Sequence, residues 1–222
     1  MKQKISEALN FKLKSSQDKA MFFMPFSIVG NVCMVVFNLT FGILTMSIWF
    51  FANAVFRIMI GLSRFLGVRN YIKMRYEDNP KKKLEIGYKT YMNNGFLLIF
   101  LGAIYFFISL YMFFNDTGKQ MHTFVVLGVA TMSFCSLGFA IYGAVKYKRG
   151  SDPIINSAKL TNNANALTSI VLTQVVLLSN YGGDGNYLFY NGLTGMVVSI
   201  TIVSIGVFML LGMKKYLNKY KE

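Results

Sequence analysis

"MFFMPFSIVGNVCMVVFNLTFGILTMSIWFFANAVFRIMIGLS", residues 21 to 63, holds 43 residues and a single charge, Arg57. At a rise of about 1.5 Å per residue one unbroken helix of this length would measure about 65 Å, roughly twice the hydrocarbon core of a bilayer. The run therefore reads as two membrane spans. The break belongs at Thr45 to Ser47, where polar side chains allow a tight turn at the far surface.

Further apolar runs of spanning length lie at residues 84–114, 122–147, 154–179 and 187–213, giving six expected spans with the first two at 21–45 and 47–67. The run at 84 opens with "LEIGYKTYMNN" and the run at 154 carries "NSAKLTNNAN", so hydropathy alone supports these two least. Composition agrees with an all-α polytopic membrane protein: 54% apolar residues, 14% charged and a positive mean hydropathy.

Charge placement tests that count independently, because cytoplasmic loops carry the excess of Lys and Arg. Of the 23 basic residues, all but Lys119 and Arg57 fall on one side of a six-span layout. Both termini are therefore expected in the cytoplasm of a cell-membrane protein. The net charge of +14 follows from this topology and from attraction to anionic headgroups, so nucleic acid is not an expected partner. Residues 1–20, with Ile5, Leu9 and Leu13 among lysines, read as an interfacial amphipathic segment rather than a signal peptide, and residues 215–222 as a basic cytoplasmic tail. Cys33 and Cys135 fall mid-span and are expected to be buried, inert packing residues.

Every Asp and Glu maps outside the expected spans or, like Glu85, to their cytoplasmic interface, and the one histidine, His122, lies at a span end. Intramembrane catalysis and ion coupling usually need carboxylates or histidines. No nucleophilic triad, paired-carboxylate acid and base, or zinc site can be assembled, so an enzyme, a metal centre and a cofactor are not expected.

The spans do hold polar residues at helical spacing. In the second, Asn53, Arg57, Gly61 and Arg64 form one stripe. In the fifth, Thr161, Asn165, Ser169 and Thr173 recur every fourth residue, and in the first Asn31, Asn38 and Thr45 recur every seventh. Lipid cannot satisfy such groups, so these faces must point inward. The pattern supports two readings. In one the polar residues are interhelical glue and Arg57 snorkels to interfacial water; in the other Asn53, Arg57, Thr161 and Asn165 form a central polar cavity, with Asn31, Asn38, Ser169 and Thr173 as secondary lining.

Several stretches resemble the transmembrane domain of the cation diffusion facilitator family. In "NVCMVVFNLTFGILTMSIWFFANAVFRIMIGLS", residues 31 to 63, "GILTMS" is similar to that family's G-x-L-T-x-S turn, and "ANA" stands where the family opens its second helix with A-D-A. "NPKKKLEIGYKTYMNNGFLLIFLGAIYFFISLYMFF" resembles its third-span region, "INSAKLTNNANALTSIVLTQVVLLS" its fifth helix and "YNGLTGMVVSITIVSIGVFML" its sixth, so the resemblance covers roughly residues 25–214. It implies six spans with both ends inside, a homodimer, and export of zinc or related divalent ions against protons. The family's helix 2 and helix 5 ligands map onto Asn53, Arg57, Thr161 and Asn165, none of them a carboxylate or histidine. A fixed charge at Arg57 would oppose a divalent cation by several kcal/mol in a low-dielectric cavity, on the order-of-magnitude Coulomb scale. The family's C-terminal metal-binding domain has no counterpart here. The resemblance thus implies a transport-related protein with a degenerate ion site. Its alternatives are a non-transporting pseudo-transporter acting as a membrane subunit or interaction partner, and a cation transporter with a modified site.

Overall fold

In the computed structural model the chain is described over residues 16–115, 122–146, 153–182 and 187–219, and among these residues it forms six helices and no strand. They are α1 (Ser16–Thr45), α2 (Ile48–Arg75), α3 (Pro80–Phe114), α4 (Thr123–Lys146), α5 (Pro153–Tyr181) and α6 (Tyr187–Lys219). Four of them contain segments long and apolar enough to cross a membrane: Ile28–Thr45, Ile48–Arg75, Pro80–Phe114 and Phe189–Met213. Helix α4 offers a shorter apolar stretch, Thr123–Gly138.

The break in the opening stretch falls where the polar residues put it. Helix α1 ends at Thr45, Met46 turns the chain with a left-handed φ of 49°, and Ser47 leads extended into α2. Two residues suffice because the left-handed conformation reverses the chain within a single step. The hairpin is tight: a Cβ added at Gly42 would stand 3.3–3.4 Å from the Phe51 ring and the Phe50 Cβ.

Several boundaries differ from the sequence expectation. Helix α2 continues past residue 67 to Arg75, where Lys73 and Arg75 complement the negative end of its dipole. Helix α3 begins at Pro80 rather than Leu84: proline occupies the first turn, and the Asn79 side chain accepts from the Lys81 N–H at 3.0 Å, a cap that hydropathy does not register. Helix α1 starts at Ser16, so residues 16–20 of the expected surface segment belong to it; residues 1–15 lie outside the described residues. Likewise α6 runs into the expected tail as far as Lys219, and residues 220–222 lie outside the described residues.

The centre is built by α2, α3, α5 and α6. Helix α3 packs most extensively on α6, α2 and α5 each touch the other and α3, α5 also touches α6, and α1 and α4 flank α2 and α5 respectively. Trp49, Phe56, Leu98, Leu101, Tyr105, Leu172 and Ile202 belong to one buried cluster, with the Tyr105 ring 5.5 Å from that of Trp49 and 6.1 Å from that of Phe56. The outer surface carries Val32, Val36, Phe65, Phe100, Phe107, Phe134 and Phe208 exposed, an apolar exterior of the kind a bilayer covers. Cys33 and Cys135 are also exposed, which corrects the expectation that they are buried: each sits on the outward face of a flanking helix.

The α3–α6 contact depends on small residues spaced by seven on both helices. Gly95 and Gly102 on α3 run antiparallel to Gly206 and Ser199 on α6, and further along Ser109 stands against Gly195. A Cβ placed on Gly206 would come 2.7 Å from the Gly95 carbonyl oxygen, and one on Gly102 would come 3.2 Å from that of Ser199. Backbones this close gain dispersion contact along the whole seam, which is how helices associate where hydrocarbon solvates leucine as well as protein does.

Candidate functional site

The inward stripe of α2 is a column of polar groups, each meeting a neighbouring helix at its own level. Asn53 donates its amide to the Trp49 carbonyl at 2.9 Å and, at 3.4 Å, to the Tyr105 hydroxyl of α3. One turn on, the Arg57 Nη2 donates to Ser169 Oγ of α5 at 2.7 Å, and Ser169 in turn donates to the Asn165 carbonyl at 2.8 Å. Arg57 is 2% exposed, so it does not snorkel to solvent. From the other side, the Asn31 amide of α1 donates to the Arg57 carbonyl at 2.5 Å.

Two turns further along α2, Arg64 Nη2 donates to Asn162 Oδ1 of α5 at 2.6 Å. The arginines are seven residues apart, as are Ser169 and Asn162 in the reverse direction, so α2 and α5 are antiparallel with a two-rung ladder between them. Beside the lower rung, Ser63 donates to Asn94 Oδ1 at 2.6 Å, and the Asn94 amide donates to Ser157 Oγ at 2.9 Å, joining α2, α3 and α5. Asn70 donates to the Thr90 hydroxyl at 2.9 Å near the end of the column.

The residues singled out from the sequence are all inside: Asn31, Asn38, Asn53, Arg57, Thr161, Asn165, Ser169 and Thr173 are buried. They do not form one ring. Among the described residues no hydrogen bond links Asn53 or Arg57 to the side chains of Thr161 or Asn165. Thr161 donates to carbonyls of its own helix, and the Asn165 amide reaches Ser136 of α4 at 3.4 Å. Asn38 donates to the Met34 carbonyl and Thr173 to that of Ser169. Periodicity identified a face correctly but could not set the stagger between two helices, and the antiparallel register puts Arg57 level with Ser169 instead.

Several members of the column were not singled out. Asn94, Ser157 and Asn162 occupy the very stretches whose polarity weakened the hydropathy of their spans, and that polarity is the available signal. Tyr105 had none, since one tyrosine inside "LGAIYFFISLYMFF" looks like aromatic packing.

The chain matches no family model and no curated protein. The site must therefore be judged on its own chemistry. Among the described residues no three His, Cys, Asp or Glu side chains come together. The column instead offers amides, hydroxyls and two guanidinium groups. Several buried atoms in it have no partner among the described residues: Arg57 Nε, and the Oδ1 atoms of Asn31, Asn38, Asn53 and Asn165. Each such atom carries a desolvation cost of about 1–3 kcal/mol unless water or a ligand meets it.

Asn94 provides a direct test of the column's structural side. Asn94→Ala removes the amide that joins Ser63 to Ser157 and should lower stability by about 1–3 kcal/mol, read as an earlier unfolding transition in detergent micelles. Its exposed neighbour makes the control: Asn93→Ala should stay within about 0.5 kcal/mol of the parent.

Proposed function

We propose that the protein is a six-span cell-membrane protein, both termini in the cytoplasm, whose α2–α3–α5 core is the pathway for an anionic or polar solute rather than for a divalent metal. The observation that carries this reading is Arg57. Its guanidinium is buried between α2 and α5, only Ser169 is bound to it, its Nε is left over, and no carboxylate lies against it among the described residues. An uncompensated guanidinium at this depth is costly, by roughly 2.5–3.5 kcal/mol on insertion scales, and such residues in spans ordinarily serve substrate. The same charge repels a metal cation. The resemblance to cation diffusion facilitators fits the reading as kinship of scaffold with a changed site.

The exposed Arg69, Lys73, Arg75, Lys81 and Lys82 around the α2–α3 turn suit a cytoplasmic leaflet of anionic headgroups. A homodimer, implied by the resemblance, belongs to the same proposal.

A second reading is favoured by one feature. Arg57 is tied down both by Ser169 and, through its carbonyl, by Asn31, which suits a packed pseudo-transporter serving as a subunit or interaction partner. Cysteines placed singly at Asn53 and Thr161, in a background lacking the exposed Cys33 and Cys135, separate the two. A membrane-impermeant thiol reagent should label them from at least one side. Protection from both sides in folded protein would sink the pathway and leave the packed subunit.

A further inference from the structure

Among the described residues the α4 backbone packs on α5 alone. The two helices leave a cleft of about 280 Å³ between them, lined on α4 by Phe134 and Leu137 and on α5 by Ile170, Thr173, Gln174 and Leu177. The α5 residues recur at three and four, so they form one face. The wall is almost wholly carbon, because its polar groups turn elsewhere. The Thr173 hydroxyl donates to the Ser169 carbonyl at 3.0 Å and the Gln174 amide to Thr194 Oγ1 at 2.8 Å, while Ser133, also in the lining, has its Oγ sealed beneath the surface. Water needs several polar partners to settle in such a space.

The cleft opens outward. Its rim residues Phe134, Ile170 and Leu177 are 66%, 38% and 37% exposed and continue the apolar exterior that carries Phe100, Phe107 and Phe208. In a membrane that exterior meets hydrocarbon. Depth narrows the occupant further. Helix α5 closes with Ser179, Asn180 and the exposed Tyr181, a polar and aromatic ending suited to the headgroup level. Counting back from Tyr181, Leu178 at the upper end of the cleft lies about 4.5 Å down the helix and Ile170 about 16 Å, which matches the depth of one leaflet, about 15 Å. A volume of about 280 Å³ spread over about 12 Å of helix takes one extended alkyl chain, whereas a further helix measures about 10–12 Å across.

We propose that the cleft between α4 and α5 holds one acyl chain of a bilayer phospholipid, drawn from the leaflet at the Tyr181 end, in the place where α4 lacks a second helix. The chain gains dispersion contact from two fixed walls instead of from fluid lipid. The site requires that α4 and α5 span the membrane, and it is independent of any solute passage through α2, α3 and α5.

The test uses the full chain in nanodiscs containing a phosphatidylcholine with a photoactivatable diazirine in one acyl chain, with the adducts mapped by mass spectrometry. Adducts at Leu137, Ile170 and Leu177 should outnumber those at the more exposed Phe100 and Phe107 several-fold. Moving the diazirine from the headgroup end of the chain to its tail should shift adducts from Leu178 toward Ile170. Leu177→Trp plugs the cleft from its rim and should reduce labelling of Leu137 several-fold, leaving Phe100 and Phe107 unchanged; Ile170→Trp is a second plug should the first fail to fold. Labelling of the cleft no stronger than that of Phe100 and Phe107 would overturn the site and keep the spanning layout. Absence of adducts at every one of these positions would overturn both. Ile170→Cys, in a background lacking Cys33 and Cys135, should form no disulfide-linked dimer on oxidation; a dimer would give the cleft to a second copy and overturn the lipid.

Discussion

Gly206→Leu should separate α3 from α6 and leave no cooperatively folded protein in detergent. The Gly206 Cα faces the Gly95 carbonyl so closely that even a methyl would stand 2.7 Å from that oxygen and 2.7 Å from the Ile99 side chain. The first of these atoms is backbone and cannot rotate away, so the helices must part. Gly206→Ala alone should cost about 1–3 kcal/mol, the usual range for overpacking. Leucine adds three more carbons where no space exists, and the seam also loses the close approach that Gly102 and Ser199 depend on. Gly212 is the matched control on the same helix: a Cβ there meets nothing within 4 Å. Gly212→Ala should be neutral or stabilising by up to about 1 kcal/mol through helix propensity. Unfolding followed by circular dichroism in increasing SDS reads both. A Gly206→Leu protein that unfolds at the same SDS fraction as the parent would disprove the seam.

Arg57→Met should act in the opposite direction, making the protein more stable by about 1–2 kcal/mol while removing any solute binding. Replacing a buried charged group by a well-packed apolar side chain is often neutral or stabilising, and residues held for function are commonly poor for stability. The local hydrogen bonds support this sign. Ser169 keeps its own donation to the Asn165 carbonyl when the guanidinium is gone, and Asn31 keeps its acceptor because that acceptor is the residue 57 backbone. The substitution therefore orphans no donor. Destabilisation by more than about 1 kcal/mol would mean that Arg57 is structural glue, and the packed-subunit reading would gain. Arg57→Lys adds a second discrimination, because it retains the charge but not the planar fork: a carboxylate site should weaken markedly, a general electrostatic one little.

Much of the architecture was legible from the chain alone, and the reasons are local. The turn at Met46 sits between polar residues in an otherwise apolar run, and the run is too long to be one span. The buried stripes on α1, α2 and α5 followed from periods of four and seven, because lipid offers amides and guanidinium groups no alternative. What escaped was relational. The level at which Arg57 meets α5 depends on the relative slide of two helices, which neither sequence encodes in its own periodicity. The seam of Gly95, Gly102, Gly206 and Ser199 was present as a seven-residue spacing of small side chains, but hydropathy gives it no weight. Asn94, Ser157 and Asn162 were visible only as a hydropathy deficit in the helices that carry them. The outward placement of Cys33 and Cys135 corrects a rule of thumb that holds for soluble cores, where burial from water and burial in protein are the same thing.

The polarity of α5 bears on how the chain is made. Membrane insertion machinery partitions each segment largely by its own hydrophobicity, and a helix presenting Thr161, Asn162 and Asn165 partitions poorly by itself. Its partners Arg57, Arg64 and Asn94 all belong to helices that precede it. On the proposed six-span layout, α2 and α3 are already in the bilayer when α5 leaves the ribosome, and they give it a polar surface to enter against. The order of helices along the gene product is then also an order of assembly. A rearranged chain that synthesised α5 ahead of α2 and α3 would contain every contact described here and still strand that helix at the membrane surface.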